Sequence, residues 1–211
     1  EVQPEAQADM QRKAQPGFPI EGHLKSQLEV QLISQEKREG PYQEATSEAK
    51  PQTEESQANL SGAPWIRELI KAHLEPIPRV AEGRALASTG VVSAMLDISD
   101  GLAGEAHQIA RESKVGVALR EEAVPIGEST RHAATLLECD ALEWALSGGE
   151  DFELVFTFPP ESTDTVRDAL SNAGGSMYIV GHITRETEGV VLVGSDGTRR
   201  RIPFKGYDHF D

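Results

Sequence analysis

The sequence predicts a mixed α/β fold in which helices flank a β-sheet. Short apolar runs typical of strands alternate along the chain with segments whose apolar residues recur at helical spacing. The chain has 211 residues, 38% of them hydrophobic, which is enough for one sizeable domain. Near its end an Asp-Gly pair separates two short runs, a pattern typical of a β-hairpin. These three observations favour an α/β or α+β class with a mixed sheet.

Composition divides the chain near residue 62. Residues 1–62 contain ten Gln, eleven acidic and six basic residues, and their only aromatic residues are Phe18 and Tyr42. Such a segment buries too little apolar surface to offset the ordering of its backbone, which costs about 1–2 kcal/mol per residue. We therefore predict a disordered tail over residues 1–62 and a folded domain over residues 63–211.

One feature of the predicted tail has a helical period. Leu24, Leu28 and Leu32 recur every fourth residue, and Ile33 follows the last of them. The spacing predicts one weak amphipathic helix that ends before Gly40-Pro41. Two interpretations stay open, a transient helix within a tail and a docking helix for a partner.

The folded domain opens with two predicted helices. Apolar residues from Trp65 to Leu74 have helical spacing, and Pro76 ends this first helix. Pro78 suits the first turn of a second helix, which runs through about Ser88.

Strands and helices then alternate to the end of the domain. Helices are predicted over residues 101–113, 127–138 and 163–173. Ser195-Asp196-Gly197 joins the last two predicted strands as a hairpin. The predicted strands are Val91–Ile98, Val115–Leu119, Leu154–Phe158, Met177–Ile183, Val190–Val193 and Arg199–Phe204.

Charge and composition exclude several classes of function. The formal net charge is −15, which argues against nucleic acid as a general partner, because phosphate binding needs clustered Lys and Arg. The longest apolar runs are short: Val91–Leu96 has only six residues and is broken by Ser93, whereas a membrane span needs about twenty. The single cysteine, Cys139, excludes an intramolecular disulfide and suits a reducing, cytoplasmic location. Because the chain begins at Glu1 without a signal-peptide pattern, we expect a fragment or processed form.

The first candidate site is Asp97–Gly101, between a predicted strand and the helix that follows. It brings the carboxylates of Asp97 and Asp100 and the hydroxyl of Ser99 to one turn. Oxygen ligands of this kind suit Mg²⁺, which is usually held by one or two carboxylates together with substrate phosphates. The helix N-terminus adds N–H donors that favour phosphate oxygens. The alternative is that Ser99 or Asp100 only caps the helix and that Asp97 is a solvated strand end.

The second candidate site is Ser147–Asp151, just before the strand predicted at residue 154. It contains two glycines and two acidic residues, so its backbone is able to approach a ligand closely. The alternative is an ordinary glycine-rich loop. No Walker lysine and no G-x-G-x-x-G motif supports phosphate binding by the glycines themselves.

The third candidate is the aromatic C-terminus. Phe204, Tyr207 and Phe210 are three of the eleven aromatic residues, and they fall within the last eight positions. Their rings could stack on a flat heterocycle or on a cation. They could equally pin the tail into the core.

These motifs resemble thiamine-monophosphate kinase. The resemblance covers about residues 64–211, roughly the C-terminal half of that enzyme, and Leu69–Pro76 and Pro78-Arg79 fit it as well. Aminoimidazole ribonucleotide synthetase and selenophosphate synthetase share the architecture but lack this combination of motifs. The blocks that match in order and separation are Ala94–Leu102 (AMLDISDGL), Trp144–Leu154 (WALSGGEDFEL) and Lys205–Phe210 (KGYDHF).

The resemblance implies a fold and a reaction. The fold is the C-terminal domain of the aminoimidazole ribonucleotide synthetase-like architecture, a mixed sheet flanked by helices. The reaction is the ATP- and Mg²⁺-dependent phosphorylation of thiamine monophosphate to thiamine diphosphate. Carried over by motif, Asp97 and Asp100 would bind Mg²⁺ and Ser99 would contact ATP.

The resemblance also implies substrate contacts. Glu150 would contact thiamine monophosphate. Phe204 occupies the position where the family offers an aromatic ring to the thiamine, and Tyr207 is a second candidate for that role.

The N-terminal half of the family is not recognisable here. In that family it carries the glycine–aspartate ATP and Mg²⁺ motifs and most contacts of the homodimer, and nothing in residues 1–62 resembles it. We expect this chain to hold half of an active site, inactive alone or dependent on the other half in trans. Two alternatives are a non-catalytic thiamine-phosphate binding module and a related synthetase acting on a formylglycinamidine-type substrate. The second candidate site and the aromatic end disfavour the synthetase.

Overall fold

The computed structural model describes residues 29–34, as backbone only, and residues 63–204. Among these residues six α-helices are present. Pro64 lies in the first turn of the first helix, and Gly90, with a φ of 70°, follows the second. The helices are α1 (Pro64–Leu74), α2 (Val80–Thr89), α3 (Leu102–Ser113), α4 (Glu128–Leu137), α5 (Ala141–Ser147) and α6 (Thr163–Asn172).

The described residues also contain seven strands: β1 (Glu29–Ser34), β2 (Ala94–Asp97), β3 (Gly116–Arg120), β4 (Leu154–Phe158), β5 (Ser176–Thr184), β6 (Val190–Val193) and β7 (Arg199–Arg201). They form one sheet in the order β2-β4-β1-β5-β3-β6-β7. β3 and β6 are parallel, and the other neighbours are antiparallel. The mixed sheet flanked by helices that the sequence predicts is therefore confirmed.

Two hydrophobic clusters cover the sheet, and β4 contributes to both. Its Val155 belongs to a cluster with buried residues of α3, whereas Phe156 and Phe158 pack with Leu86 of α2 and Leu170 of α6. Successive side chains of a strand point to opposite faces, so β4 has helices on both of its sides. The larger cluster supports α3, whose first residues border the first candidate site.

Residues 29–34 form β1, where the sequence predicts part of a helix in a disordered tail. That prediction is wrong for these residues, since Glu29–Ser34 pairs antiparallel with both β4 and β5. Leu32 lies in the strand, and pairing on two sides gives its backbone hydrogen bonds that outweigh a weak local preference for helix. Leu24 and Leu28 lie outside the described residues, and the boundary near residue 62 stays a prediction.

Most other elements agree with the sequence predictions to within a few residues. The strand predicted over Val91–Ile98 is shorter and covers Ala94–Asp97. Helix α5 is not anticipated by the sequence analysis, although Asp140 caps it by accepting a hydrogen bond from the Leu142 N–H at 2.8 Å. In the part of the chain that the structure describes, no helix combines the length and apolarity needed to cross a membrane.

Candidate active site

The first and second candidate sites, Asp97–Gly101 and Ser147–Asp151, lie side by side at the ends of β2 and β4. β2 pairs with β4, and the residues beyond the ladder continue the contact through three backbone hydrogen bonds of 2.8 Å. The Ile98 N–H donates to Glu153 O, the Phe152 N–H to Ile98 O, and the Glu150 N–H to Ser99 O. The antiparallel pairing of β2 and β4 therefore brings two motifs together that are about fifty residues apart in the sequence.

Two glycines allow this close contact. Gly101 has a φ of 90°, and a Cβ at this position would lie 2.7 Å from the Leu146 carbonyl oxygen and 2.8 Å from that of Gly148. A Cβ on Gly149 would lie 2.6 Å from the Ser99 carbonyl oxygen. Any side chain at either position would clash with backbone, so the glycines are required by the contact between the motifs.

The start of α3 carries no side-chain cap. Gly101 is the N-cap residue, so Ser99 and Asp100 do not cap the helix, and the capping alternative is wrong. The Ser99 hydroxyl instead donates to Glu105 Oε1 at 3.4 Å. Asp97 and Asp100 are exposed, and no hydrogen bond or ion pair joins their carboxylates to other described residues.

A cavity of about 310 Å³ opens beside Asp100 at the start of α3. Its acidic lining residues are Asp100, which precedes α3, Asp140, which caps α5, and Glu143 of α5. Arg200 supplies the only cationic side chain among the residues that line it, and the N-terminus of α3 adds a positive dipole end. The cavity is lined by Asp100, Ala103, Gly104, Asp140, Glu143, Leu146, Ser147, Arg200, Ile202 and Pro203.

The loop from Gly149 to Glu153 holds two residues in the left-handed region. Glu150 has a φ of 68° and Phe152 a φ of 52°. Such conformations cost on the order of 1–3 kcal/mol each for residues other than glycine, and they cluster at functional sites. The Glu150 carboxylate lies 3.7 Å from His73 Nδ1 of α1, with both side chains mostly exposed. The second candidate site therefore has a constrained backbone.

Two carboxyl groups near this turn have shifted pKa values. Burial, and to a smaller extent the charge of Glu153, raises the pKa of Asp151 from 3.8 to about 6. Asp151 is exposed as a whole residue, but the atoms around its carboxyl group remove part of its hydration. Burial also raises the pKa of Glu153, and the hydrogen-bonded guanidinium of Arg79 partly offsets this effect.

The aromatic candidates are only partly described. Phe204 is 61% exposed and packs edge-on against His107 of α3, with ring centroids 5.5 Å apart. His107 Nε2 is 2.9 Å from the Ile202 carbonyl oxygen, which fixes the ring beneath Phe204. Phe204 follows Pro203, a residue of the cavity wall. Tyr207 lies outside the described residues.

The described residues do not contain a preformed cluster of three or more His, Cys, Asp or Glu side chains arranged to hold a metal ion. The assignment of Asp97 and Asp100 as metal ligands stays a prediction. The structure places them at the same turn, with Ser99 between them and Glu150 bonded to that turn through its backbone.

Two features of this site are not predicted from the sequence. The altered pKa of Asp151 depends on burial by tertiary contacts, which the motif alone does not indicate. The contact between Arg79 and Glu153, at 2.7 and 2.9 Å, is the second feature. The signal available was the Pro78-Arg79 pair within the resemblance.

Comparison with protein families gives a match over most of the chain. The model described as AIR synthase related protein, C-terminal domain, matches residues 40–194. The thiamine-monophosphate kinase of Escherichia coli (strain K12) is 36% identical over 143 residues, 67% of this chain and 42% of that protein. The chain therefore spans less than half the length of this curated relative.

Solved structures share the fold at lower identity. AaThiL complexed with AMPPCP and TMP has a TM-score of 0.60 and 24% identity, covering 88% of this chain and 52% of that one. Escherichia coli HypE, a hydrogenase maturation protein, has a TM-score of 0.57 and 19% identity, with the same coverage of 88% and 52%. Likeness at this level shows the fold alone, and the fold is shared by proteins of different function.

Proposed function

The chain belongs to the AIR synthase related family through its C-terminal domain, and from this premise we propose that it supplies the C-terminal half of a thiamine-monophosphate kinase site. The proposed reaction is the ATP- and Mg²⁺-dependent phosphorylation of thiamine monophosphate to thiamine diphosphate. The observation that carries the proposal is the contact between the two motifs that resemble the kinase, made by backbone hydrogen bonds of Ser99 and Ile98 with the turn at Glu150 and Phe152.

The residues at the turn before α3 fit a magnesium–phosphate complex. Asp97 and Asp100 present exposed carboxylates, and Mg²⁺ is commonly held by one or two carboxylates together with water and substrate phosphates. In our proposal Asp97 and Asp100 hold the metal and Ser99 contacts ATP. When bound, the metal would neutralise charge on the transferring phosphates.

The proposed reaction requires the protein mainly to position its two substrates. The acceptor is already an anionic phosphate, so no strong general base is required, and catalysis depends on bringing two phosphates into line. The N–H groups at the start of α3 have no side-chain cap and are available to phosphate oxygens. The cavity of about 310 Å³ beside Asp100 gives room for phosphates at that helix end.

The substrate contacts are proposed on the other motif and on the aromatic end. Glu150 would contact thiamine monophosphate, and the exposed ring of Phe204 would stack on the thiamine, with Tyr207 as a second candidate. Arg79, Asp151 and Glu153 would act only by shaping the turn that carries Glu150. The proposal includes a cytoplasmic location, which suits a chain with one cysteine, and the homodimer that the resemblance implies for the full-length family.

A chimera tests the proposal. Residues 28–211, which retain β1, would replace the matching part of the Escherichia coli thiamine-monophosphate kinase, and turnover would be measured with thiamine monophosphate, ATP and Mg²⁺. We expect activity that falls at least about 100-fold in Asp97→Asn and in Asp100→Asn, since each removes charge stabilisation at the phosphates. Asp164→Asn, which alters an exposed ion pair, is the control. A folded but inactive chimera, or one indifferent to both changes at the turn, contradicts the proposal.

The same assay on the chain itself tests the claim of half a site. We expect no turnover, because the chain spans 42% of the kinase that it resembles. Robust turnover by the isolated chain would refute that claim while leaving the reaction itself supported.

A non-catalytic binding module is the second candidate, and the same partial coverage favours it. Calorimetry with thiamine monophosphate, with and without Mg²⁺, distinguishes the two. A binding module binds the compound without any other domain, whereas half of a shared site binds it poorly.

A further inference from the structure

Arg79 joins two segments that lie 74 residues apart in the chain. Its Nε donates to Glu153 Oε2 at 2.9 Å, and its Nη2 donates to Glu153 Oε1 at 2.7 Å. Two parallel hydrogen bonds of this kind fix the carboxylate in position and in orientation. Nη1 also donates to Glu82 Oε1 at 3.3 Å, which ties the guanidinium to the first turn of α2.

This cluster is buried, unlike most ion pairs of the described residues. The side chains of Arg79, Glu82 and Glu153 are 9%, 10% and 21% exposed. The Arg167–Asp164 pair is as short, at 2.7 Å, but its side chains are 57% and 92% exposed. An exposed pair contributes little because water and salt screen it, whereas loss of one partner of a buried pair leaves a charge without compensation.

Glu153 is also the last residue of the turn that carries Glu150. Its carbonyl oxygen accepts from the Ile98 N–H, and the preceding Phe152 N–H donates to Ile98 O, both at 2.8 Å. A shift of Glu153 would therefore be transmitted to Phe152, which is already held in the left-handed region with a φ of 52°. The side chain of Glu153 is anchored by α2, and its backbone is anchored by the segment after β2.

We propose that Arg79 is a positioning residue, holding Glu153 so that residues 150–153 keep their path beside Ile98 and Ser99. Arg79 makes no contact with the proposed substrate and acts through Glu153. The importance of that path for substrate rests on the proposed function, whereas the clamp itself does not. Lysine is not equivalent at this position, because a point charge cannot form the paired hydrogen bonds of a guanidinium.

Amide hydrogen exchange on the full chain tests the clamp. In Arg79→Gln we expect exchange at the Glu150 and Phe152 amides to accelerate at least about 10-fold. The amide of His182, in the central strand β5 and paired with both β1 and β3, should keep its rate. Arg79→Lys should fall between the two. Arg167→Gln, which breaks the exposed pair, should leave all these rates unchanged.

Two results would overturn the proposal. One is unchanged exchange at Glu150 and Phe152 in Arg79→Gln. The other is equal acceleration at His182, which would show a general loss of stability and no local role. If Arg79→Gln does not fold, Glu153→Gln keeps the shape of the side chain and is judged by the same amides.

The chimera separates this inference from the proposed function. With the wild-type chimera active, Arg79→Gln should raise the KM for thiamine monophosphate about 10-fold and change kcat by less than about threefold, as expected when substrate binding is disturbed. Arg167→Gln should change neither constant. An inactive wild-type chimera would count against the proposed function, and the exchange rates of the full chain would still decide whether Arg79 acts as a clamp.

Discussion

At the scale of single residues, Gly101 shows most directly how closely the first and second candidate sites are packed. Its backbone has a φ of 90°, and the carbonyl oxygens of Leu146 and Gly148 approach the space that a side chain would fill. The conformation is unfavourable for any residue with a Cβ, and the close approach adds a steric clash. Gly101 is therefore constrained by conformation and by space at once.

We predict that Gly101→Ala lowers the free energy of unfolding by about 2–4 kcal/mol, measured by urea denaturation. Gly197→Ala is the matched control, because Gly197 also has a positive φ, of 81°, but no atom lies within 4 Å of its added Cβ. The control should lose only about 1 kcal/mol. Equal losses in the two variants would show that the close approach carries no cost.

The pKa of Asp151 predicts a pH dependence of stability. The folded-state pKa of about 6 lies above the ordinary value of 3.8, so folding favours the protonated form. Its stabilising contribution is full below about pH 4 and is lost as the pH rises through 6. Asp151→Asn should remove this decline, raising the free energy of unfolding at pH 7 by about 1 kcal/mol or less, because the exposed residue is screened by solvent.

Asp196 supplies a control with the opposite sign. Hydrogen bonds from the Thr198 side chain and backbone lower the pKa of Asp196, so its contribution is present above the ordinary pKa and is lost as the pH falls. Urea denaturation of both variants is followed from pH 3 to pH 7. The difference between Asp151→Asn and wild type should change as the pH rises through 6, whereas that between Asp196→Asn and wild type should change only as the pH falls below about 4. Parallel curves would contradict the assignment for Asp151.

Residue types alone indicated which segments could form a site, but they did not predict how the two segments contact each other. The Asp97–Gly101 segment was recognisable because oxygen ligands and a helix start coincide in sequence. The left-handed conformations of Glu150 and Phe152, with φ of 68° and 52°, were not, since neither residue type predicts them. They are imposed by hydrogen bonds to Ser99 and Ile98, contacts between distant segments that local patterns do not contain.

At the scale of elements, β1 is the strand on which the integrity of the sheet beside the candidate site depends most. It lies between β4 and β5 and pairs with both. β4 leads out of the turn that carries Glu150, so the strand beside it also supports the candidate site. A strand inside a sheet provides hydrogen bonds on two sides, and its loss leaves two neighbours with unpaired edges.

We predict that deletion of residues 1–62 abolishes cooperative unfolding and yields soluble aggregates or insoluble protein, because β4 and β5 lose their shared neighbour. Deletion of residues 1–27 retains β1 and should leave the thermal midpoint within a few degrees of that of the full chain. Circular dichroism with size-exclusion chromatography measures both variants. A stable, monomeric chain that starts at residue 63 would contradict the role assigned to β1.

Element prediction succeeded where the pattern was strong and local. β4 matches its predicted bounds, Leu154–Phe158, because an apolar run ends at two prolines. β1 was mistaken for part of a helix because Leu32 continues the period of four set by Leu24 and Leu28. Only pairing with strands more than a hundred residues away decides the outcome. Helix α5 has seven residues, too few for a periodic signal.

At the scale of the whole molecule, the net charge limits which ligands the proposed site is able to bind. The formal net charge of −15 does not favour the binding of anionic phosphates unless a cation or a helix end compensates locally. The candidate site provides both features at one place, with two exposed carboxylates for a cation and the start of α3. The metal-bridged binding of phosphates that we propose is consistent with this overall acidity.

The position of β1 also affects the order in which the protein becomes complete during its synthesis. Its last residue is Ser34, whereas β4 begins at Leu154 and β5 at Ser176. At a translation rate of about 5–20 residues per second, the ribosome needs roughly 7–30 seconds to make the second partner after the strand itself. During that interval β1 does not have both of its neighbours, so the nascent chain carries a strand with an unpaired edge that is able to associate with other strands.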